Sequence, residues 1–394
     1  MTIATRPLEG ALEAAQEIIG QLADLADPID RGTESAAQGY ALLGESGLLT
    51  AMIPQHRGGL GLDFAGYTTL LAELGAANTA VALGFNMHNV AIGALFEADG
   101  DALGPAGTKF RDWVIDEVVS NRRMFASAAS EPGTGARLRG ISTTYRRDGG
   151  DFILNGHKSF VSLAGIADYY VITARPDDSD TDFEVSHFVV SAADPGVSFS
   201  AEWNGAALRG TSTAQMYLRD TVIPADRLFL GVEGMSLFKL VRDPHWMAAG
   251  YLGAYLGLAR AIVAFAAAHI AADERRRSRD ADVQRIGAMA ISLQATQSLT
   301  MSAARAVADS RSDPATNAMV YAAKHHLGES AQSLASQAIA LVGSSAMAAD
   351  APMQRLLREV QFCSIMPAKP TDCLDYVGRA RLGANMFDVA NHGW

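Results

Sequence analysis

Cysteine is almost missing from this chain. Cys363 and Cys373 are the only two in 394 residues, and neither belongs to a CxxC pair or a His-rich run. That excludes a disulfide framework and the usual structural zinc patterns. Positive charge is also short. Lys and Arg total 32 against 43 Asp and Glu, a net charge of −11, which argues against a nucleic-acid surface. No uninterrupted apolar run reaches the ~18 residues of a membrane span. The N-terminus carries no charged segment followed by an apolar one. The expectation is a soluble, cytoplasmic protein with no membrane or nucleic-acid partner. Basic residues cluster only locally, at Arg122-Arg123, Arg137 with Arg139, Arg146-Arg147 and Arg275-Arg276-Arg277. Such clusters either meet phosphate groups or lie solvated. Apolar material is plentiful at 49%, enough for two or three packed units.

Periodicity divides the chain into three blocks. Residues 1–121 read as helical: Leu12, Ala15, Ile18, Ile19, Leu22 and Leu25 form a stripe closed by Pro28. A second helix fits residues 35–43, Asp63 is placed to cap a third, and residues 77–95 and 110–119 continue the pattern. Residues 122–231 change to short β-rich runs between Gly, Pro and Asp, the pattern of a compact antiparallel β-domain. Within it, Asp148-Gly149-Gly150-Asp151 predicts a tight turn, Phe152-Ile153-Leu154 a strand, and Asn155-Gly156 a second turn. Residues 232–394 return to Ala-rich helix, with long proline-free runs at 246–274 and 315–340 that predict an antiparallel four-helix bundle.

Several segments, in order, resemble the acyl-CoA dehydrogenase family across nearly the whole chain. IPQHRGGLGLD at 53–63 matches a loop after an early helix, and SEPGTGARL at 130–138 a flavin-contact motif. LRGTSTAQMYLRDTVIPADRLFLG at 208–231 resembles the strand leaving the β-domain. YAAKHHLGES at 321–330 and VGSSAMAADAPMQRLLREV at 342–360 match the last long helices. The resemblance implies an α+β fold: an N-terminal helical domain, a middle antiparallel β-domain and a C-terminal four-helix bundle. It also implies FAD, with residues Ser127 to Ser130 along the flavin's pyrimidine side. Ala129 backbone groups and the Ser130 hydroxyl would be donors there. Phe160 would pack on the ring, and the Ser162 hydroxyl would lie near its N5. Donors at those edges stabilise the charge that appears on reduction.

The resemblance further implies that a neighbouring subunit reaches the cofactor's pyrophosphate through an Arg and a Gly-rich turn. Arg275 or its neighbours Arg276 and Arg277 fit the first, and Gly343 the second. A homodimer or homotetramer follows, which the apolar faces of the long helices also favour. Three departures stand out. Ala340 replaces the expected Gln, Ala136-Arg137 replaces the Ser-Asp that closes the flavin motif, and Pro367 stands where the family places its catalytic Glu. α,β-Dehydrogenation of an acyl thioester needs a carboxylate base. Asp243 supplies one under one alignment, whereas the other places Met247 there. The expected activity is FAD-dependent dehydrogenation of an acyl substrate, bound to CoA or a carrier protein, with an electron-accepting flavoprotein as redox partner. Two alternatives stay open. One is a two-component flavin-dependent monooxygenase supplied by a flavin reductase, with His88 as a substrate-side donor. The other is a non-catalytic assembly partner.

Overall fold

The N-terminal apolar stripe folds into one long helix, α1 (Pro7–Arg31), in a computed structural model that describes residues 7–97 and 103–388. Pro28 does not end that helix but lies inside its last turn. Ala26 and Ile29 are buried on either side of it, so core packing outweighs the backbone bond proline cannot make. After α2 (Ala37–Glu45), Asp63 caps α3 (Phe64–Ala77) as expected, accepting from the Gly66 amide at 2.7 Å. The helix expected over 77–95 is interrupted at both ends. Asn78 closes α3 and caps α4 (Thr79–Ile92), and a break at Gly93 sets off the short α5 (Ala94–Glu97). The first helical set finishes with α6 (Pro105–Val119).

Seven strands follow: β1 (Phe125–Ala128), β2 (Thr144–Asp148), β3 (Asp151–Val161), β4 (Tyr169–Pro176), β5 (Ser186–Ser191), β6 (Val197–Phe199) and β7 (Ala214–Ile223). They form one sheet in the order β1-β4-β2-β3-β7-β6, with β5 added on β4. Most pairs are antiparallel, but β1 and β2 each run parallel to β4. The β2–β3 hairpin closes as predicted, Asp148 pairing with Asp151 around Gly149 at φ +61°. Asn155-Gly156, by contrast, is not a turn. β3 runs straight through it, because this strand has to pair β2 on one edge and β7 on the other. Asn155 instead serves a bulge in β7, accepting from the Asp220 amide at 2.9 Å and donating to the Asp220 carboxylate at 3.0 Å.

The C-terminal helices are α7 (Ser236–Arg242), α8 (His245–Ala248), α9 (Leu252–Ala271), α10 (Glu274–Arg277), α11 (Asp280–Ser310), α12 (Pro314–Val342), α13 (Pro352–Glu359), α14 (Phe362–Ile365) and α15 (Pro370–Arg381). The run expected over 246–274 is therefore three helices. The stretch His245–Ala271 is apolar enough in length and composition to cross a bilayer, yet α9 packs between α3 and α12. The α3–α9 crossing is very close: a Cβ on Gly257 would lie 2.4 Å from the Ala72 carbonyl, and one on Gly75 2.6 Å from that of Ala254. α7 docks beside β5, where the Ser236 amide donates to the Val185 carbonyl at 3.0 Å.

Candidate active site

The site is built from the loop leaving β1. Glu131 and Gly135 exchange two backbone hydrogen bonds, 3.0 and 2.9 Å, which close residues 131–135 into a tight loop. The Glu131 carboxylate is buried and accepts from Lys158 Nζ at 2.7 Å, the Ser142 amide at 2.6 Å, the Ser142 hydroxyl at 2.7 Å and the Thr143 amide at 3.2 Å. Lys158, fully buried on β3, also donates to the Thr173 hydroxyl at 3.0 Å. Burial alone would raise the Glu131 pKa, but the Lys158 charge and these donors carry it down to about 2. Burial pushes Lys158 down to about 8 against the pull of Glu131. Both groups stay charged at neutral pH. The pair ties the loop to β3, reinforced by the Ser159 amide donating to the Ser130 carbonyl at 2.8 Å.

Two residues after Lys158, β3 bulges. Its register against β7 shifts between Lys158 and Val161, and Phe160 takes φ +53°. The bulge turns the Phe160 ring outward, 62% exposed and edge-on to Trp203 at 5.6 Å. It lines a cleft of about 780 Å³ together with the 131–137 loop, Pro367, Asp372 and Tyr376. Ser162 lies beyond the bulge, half-buried, with the Thr213 hydroxyl 3.4 Å away.

On the inner side of the same loop lies a smaller cavity of about 80 Å³, walled by Ser127 and Ala129. Opposite them stand Ser236 and Lys239 on α7, and Asp243 just past its end. The spacing i, i+3, i+7 places these three on one face, while Leu237, Leu240 and Val241 anchor the helix in the core. Asp243 Oδ1 accepts from the Ser312 hydroxyl, and Arg242 Nε lies 3.8 Å from Oδ2. His187, on β5, shares its Nδ1 with the Ser236 hydroxyl at 2.6 Å. Burial, helped by the Lys239 and Lys158 charges, holds His187 down at about 3, so its ring is neutral. Met247 also lines the cavity, so both positions that the alignments offered for a base face the same space. Asp243 is the carboxylate of that wall.

Comparison with known proteins agrees with this arrangement along the chain. Residues 11–102, 126–221 and 245–367 match the sequence profiles of the N-terminal, middle and C-terminal domains of acyl-CoA dehydrogenases. The chain belongs to the acyl-CoA dehydrogenase family. It is a flavin-dependent oxidoreductase. The short-chain specific acyl-CoA dehydrogenase of Rattus norvegicus is 28% identical over 333 residues, spanning 82% of this chain and 77% of that one. Among solved structures, KijD3 in complex with FMN and a dTDP-amino-keto sugar superposes with a TM-score of 0.88 at 23% identity, covering 98% of each chain. Butyryl-CoA dehydrogenase from Megasphaera elsdenii gives 0.83 at 20% identity, covering 97% of this chain and 100% of that one. At such identities the structural likeness shows the fold alone.

The residues present fit the flavin the family uses. The Ser159 and Thr134 hydroxyls are buried beside the loop without a partner. Those of Ser127 and Ser130 make no hydrogen bond among the described residues. Beside these free donors, the Phe160 ring supplies an open apolar wall. The structure therefore brings Ser127, Ala129 and Asp243 to one cavity, and Phe160 and Pro367 to the adjoining cleft. Arg275 and Gly343 lie elsewhere, at one end of the bundle. There Arg276 binds Asp282 at 3.1 Å and the Leu341 carbonyl at 2.5 Å, while Arg275 is exposed. Gly343 has open space where a Cβ would be.

His88 does not stand on the substrate side. It is fully buried, with Nε2 2.9 Å from the Leu49 carbonyl and Nδ1 accepting from the Phe125 amide at 3.0 Å. Burial lowers its pKa to about 4, and the ring pins β1 to the helical domain. Sequence reasoning missed Glu131, Lys158, His187 and Lys239. For Lys158 a signal existed: Phe152, Leu154 and Lys158 share strand parity, and a lysine on a core face must find a carboxylate.

Proposed function

We propose that this oxidoreductase removes hydrogen from the α and β carbons of an acyl thioester, with FAD as the flavin and Asp243 as the proton acceptor. One observation carries the reading. Asp243 faces the cavity walled by Ser127 and Ala129, the residues that the family resemblance sets along the flavin. The bound flavin supplies the hydride acceptor. Asp243 takes the α-proton on a carboxylate oriented by the Ser312 hydroxyl. Leu138, Val171 and Phe229 keep water from the reacting carbons. Ser127 and Ser130 would hold the cofactor's polar edge, and Phe160 would cover its ring. The electrons leave to an acceptor flavoprotein. The protein assembles as a dimer or tetramer, for which exposed Val283 and Ile291 on α11 offer apolar surface.

A second reading, a two-component monooxygenase, is favoured by Pro367 at the family's base position and by the FMN in KijD3. It would use FMN delivered reduced by a reductase, and Asp243 would be dispensable. Anaerobic titration with short acyl thioesters separates the two: bleaching of the flavin supports dehydrogenation. Substrate oxygenation only with reduced flavin and O₂ supports the second reading. Protein that stays colourless after addition of either FAD or FMN would mark a non-catalytic partner. Mass spectrometry of the released cofactor decides between FAD and FMN.

A further inference from the structure

Lys239 stands out in the inner cavity as a cation without an acceptor. Among the described residues its ammonium makes no hydrogen bond, and no carboxylate lies within 4 Å of it. Its contact is the face of Phe229, 4.8 Å from Nζ. The neighbouring acid is already provided for, since Asp243 accepts from Ser312 and sits beside Arg242. His187 is neutral and shares only Nδ1 with Ser236, which leaves its Nε2 open. A second cavity of about 240 Å³ shares Lys239, His187, Ser236 and Asp243 with the inner one and adds Arg242. Lys239 therefore stands at the waist between an inner apolar space beside Ser127 and an outer space edged by another cation. Burial lowers its pKa from the ordinary lysine value, against the opposing pull of Glu97 and Asp243. An ammonium partly withdrawn from water with no acceptor among the described residues is costly, and a ligand anion would offset that cost.

We propose that Lys239, with the Nε2–H of a His187 whose Nδ1 accepts from the Ser236 hydroxyl, binds an anionic oxygen of the substrate, a carboxylate, while the reacting carbons lie in the apolar space beside Ser127. The inference rests on the reading of this cavity as the substrate site. It holds for either chemistry, because it concerns recognition and not the reaction.

The test uses the flavin-loaded protein, with hexanoate and its neutral counterpart hexanamide as probes, and calorimetry as the readout. The wild type binds hexanoate at least tenfold more tightly than hexanamide. Lys239→Met abolishes that preference, and Lys239→Arg restores most of it. Flavin retention, measured alongside, stays at the wild-type value in both variants, and the melting temperature falls in neither, since Lys239→Met removes an ammonium that lacked an acceptor. Equal affinity for the two probes, binding of neither, or a preference that survives Lys239→Met overturns the proposal. None of these readings requires turnover. A failure here is thus separable from failure of the dehydrogenation reading, which is judged by flavin reduction.

Discussion

Replacing Lys158 with Met removes the cation from a carboxylate that is itself buried, with side-chain exposures of 0% and 1% for the two partners. Breaking such a pair on one side costs about 3–5 kcal/mol. Glu131 keeps three donors, from Ser142 and Thr143, so the lower end applies: about 3 kcal/mol, or roughly 150-fold in the folding constant. The intact pair adds far less than that. What Glu131 gains from its partner, Lys158 loses to burial, since both pKa values lie below their ordinary ranges, at about 2 and about 8. Adding Glu131→Gln to Lys158→Met therefore recovers more than 1 kcal/mol, because the unpaired charge is gone and the amide oxygen still accepts from both Ser142 donors, its NH2 taking the side that Lys158 and Thr143 faced. Urea denaturation at pH 7 measures all three variants. The sign with pH follows from the depressed acid. Its stabilisation is present above the ordinary carboxylate value of 4.5 and is lost as pH falls towards 2. In Lys158→Met that carboxyl is pushed up, so the stability gap to wild type narrows on acidification through this window. A loss below 1 kcal/mol for Lys158→Met, or a double variant no more stable than the single one, refutes the argument.

Phe160→Ala removes an exposed ring at a bulge, so it should leave folding within about 0.5 kcal/mol while lowering flavin retention after gel filtration. Unchanged flavin occupancy would show that the ring does not cover the cofactor. Asp243→Asn keeps the size and the contact with Ser312 but removes the proton acceptor. Anaerobic flavin reduction by an acyl thioester should fall about 10²-fold or more. Light scattering at micromolar concentration should report a dimer or tetramer, and a monomer would contradict the assembly expected from α11.

The helices and the β2–β3 hairpin were legible in the sequence because their signals are local. A 3.6-residue stripe, an Asp before an apolar run and an Asp-Gly-Gly-Asp turn each act within a few residues. Local signals misled where a distant partner decided the outcome. Pro28 predicts a helix end, yet burial of Ala26 and Ile29 keeps the helix going. Asn155-Gly156 predicts a turn, yet β7 needs β3 as a neighbour and takes Asn155 for its own bulge. The parallel pairing of β1 and β2 with β4 depends on chain crossovers that no short window contains. Ser127, Ala129 and Phe160 could be found by motif. The polar cluster could not, because His187 and Lys239 lie 52 residues apart and meet only when α7 docks on β5. His88 was read from its residue type, whereas its role is settled by two backbone partners, Leu49 and Phe125, far along the chain.

Anaerobic stopped-flow mixing of the FAD-loaded protein with butyryl-CoA and its α,β-deuterated form tests the proposed chemistry most directly. Bleaching of the oxidised flavin band, slower with the deuterated thioester and accompanied by the enoyl product, is the predicted result. A band that stays unbleached with acyl thioesters, in protein that oxygenates a substrate once supplied with reduced flavin and O₂, would contradict it.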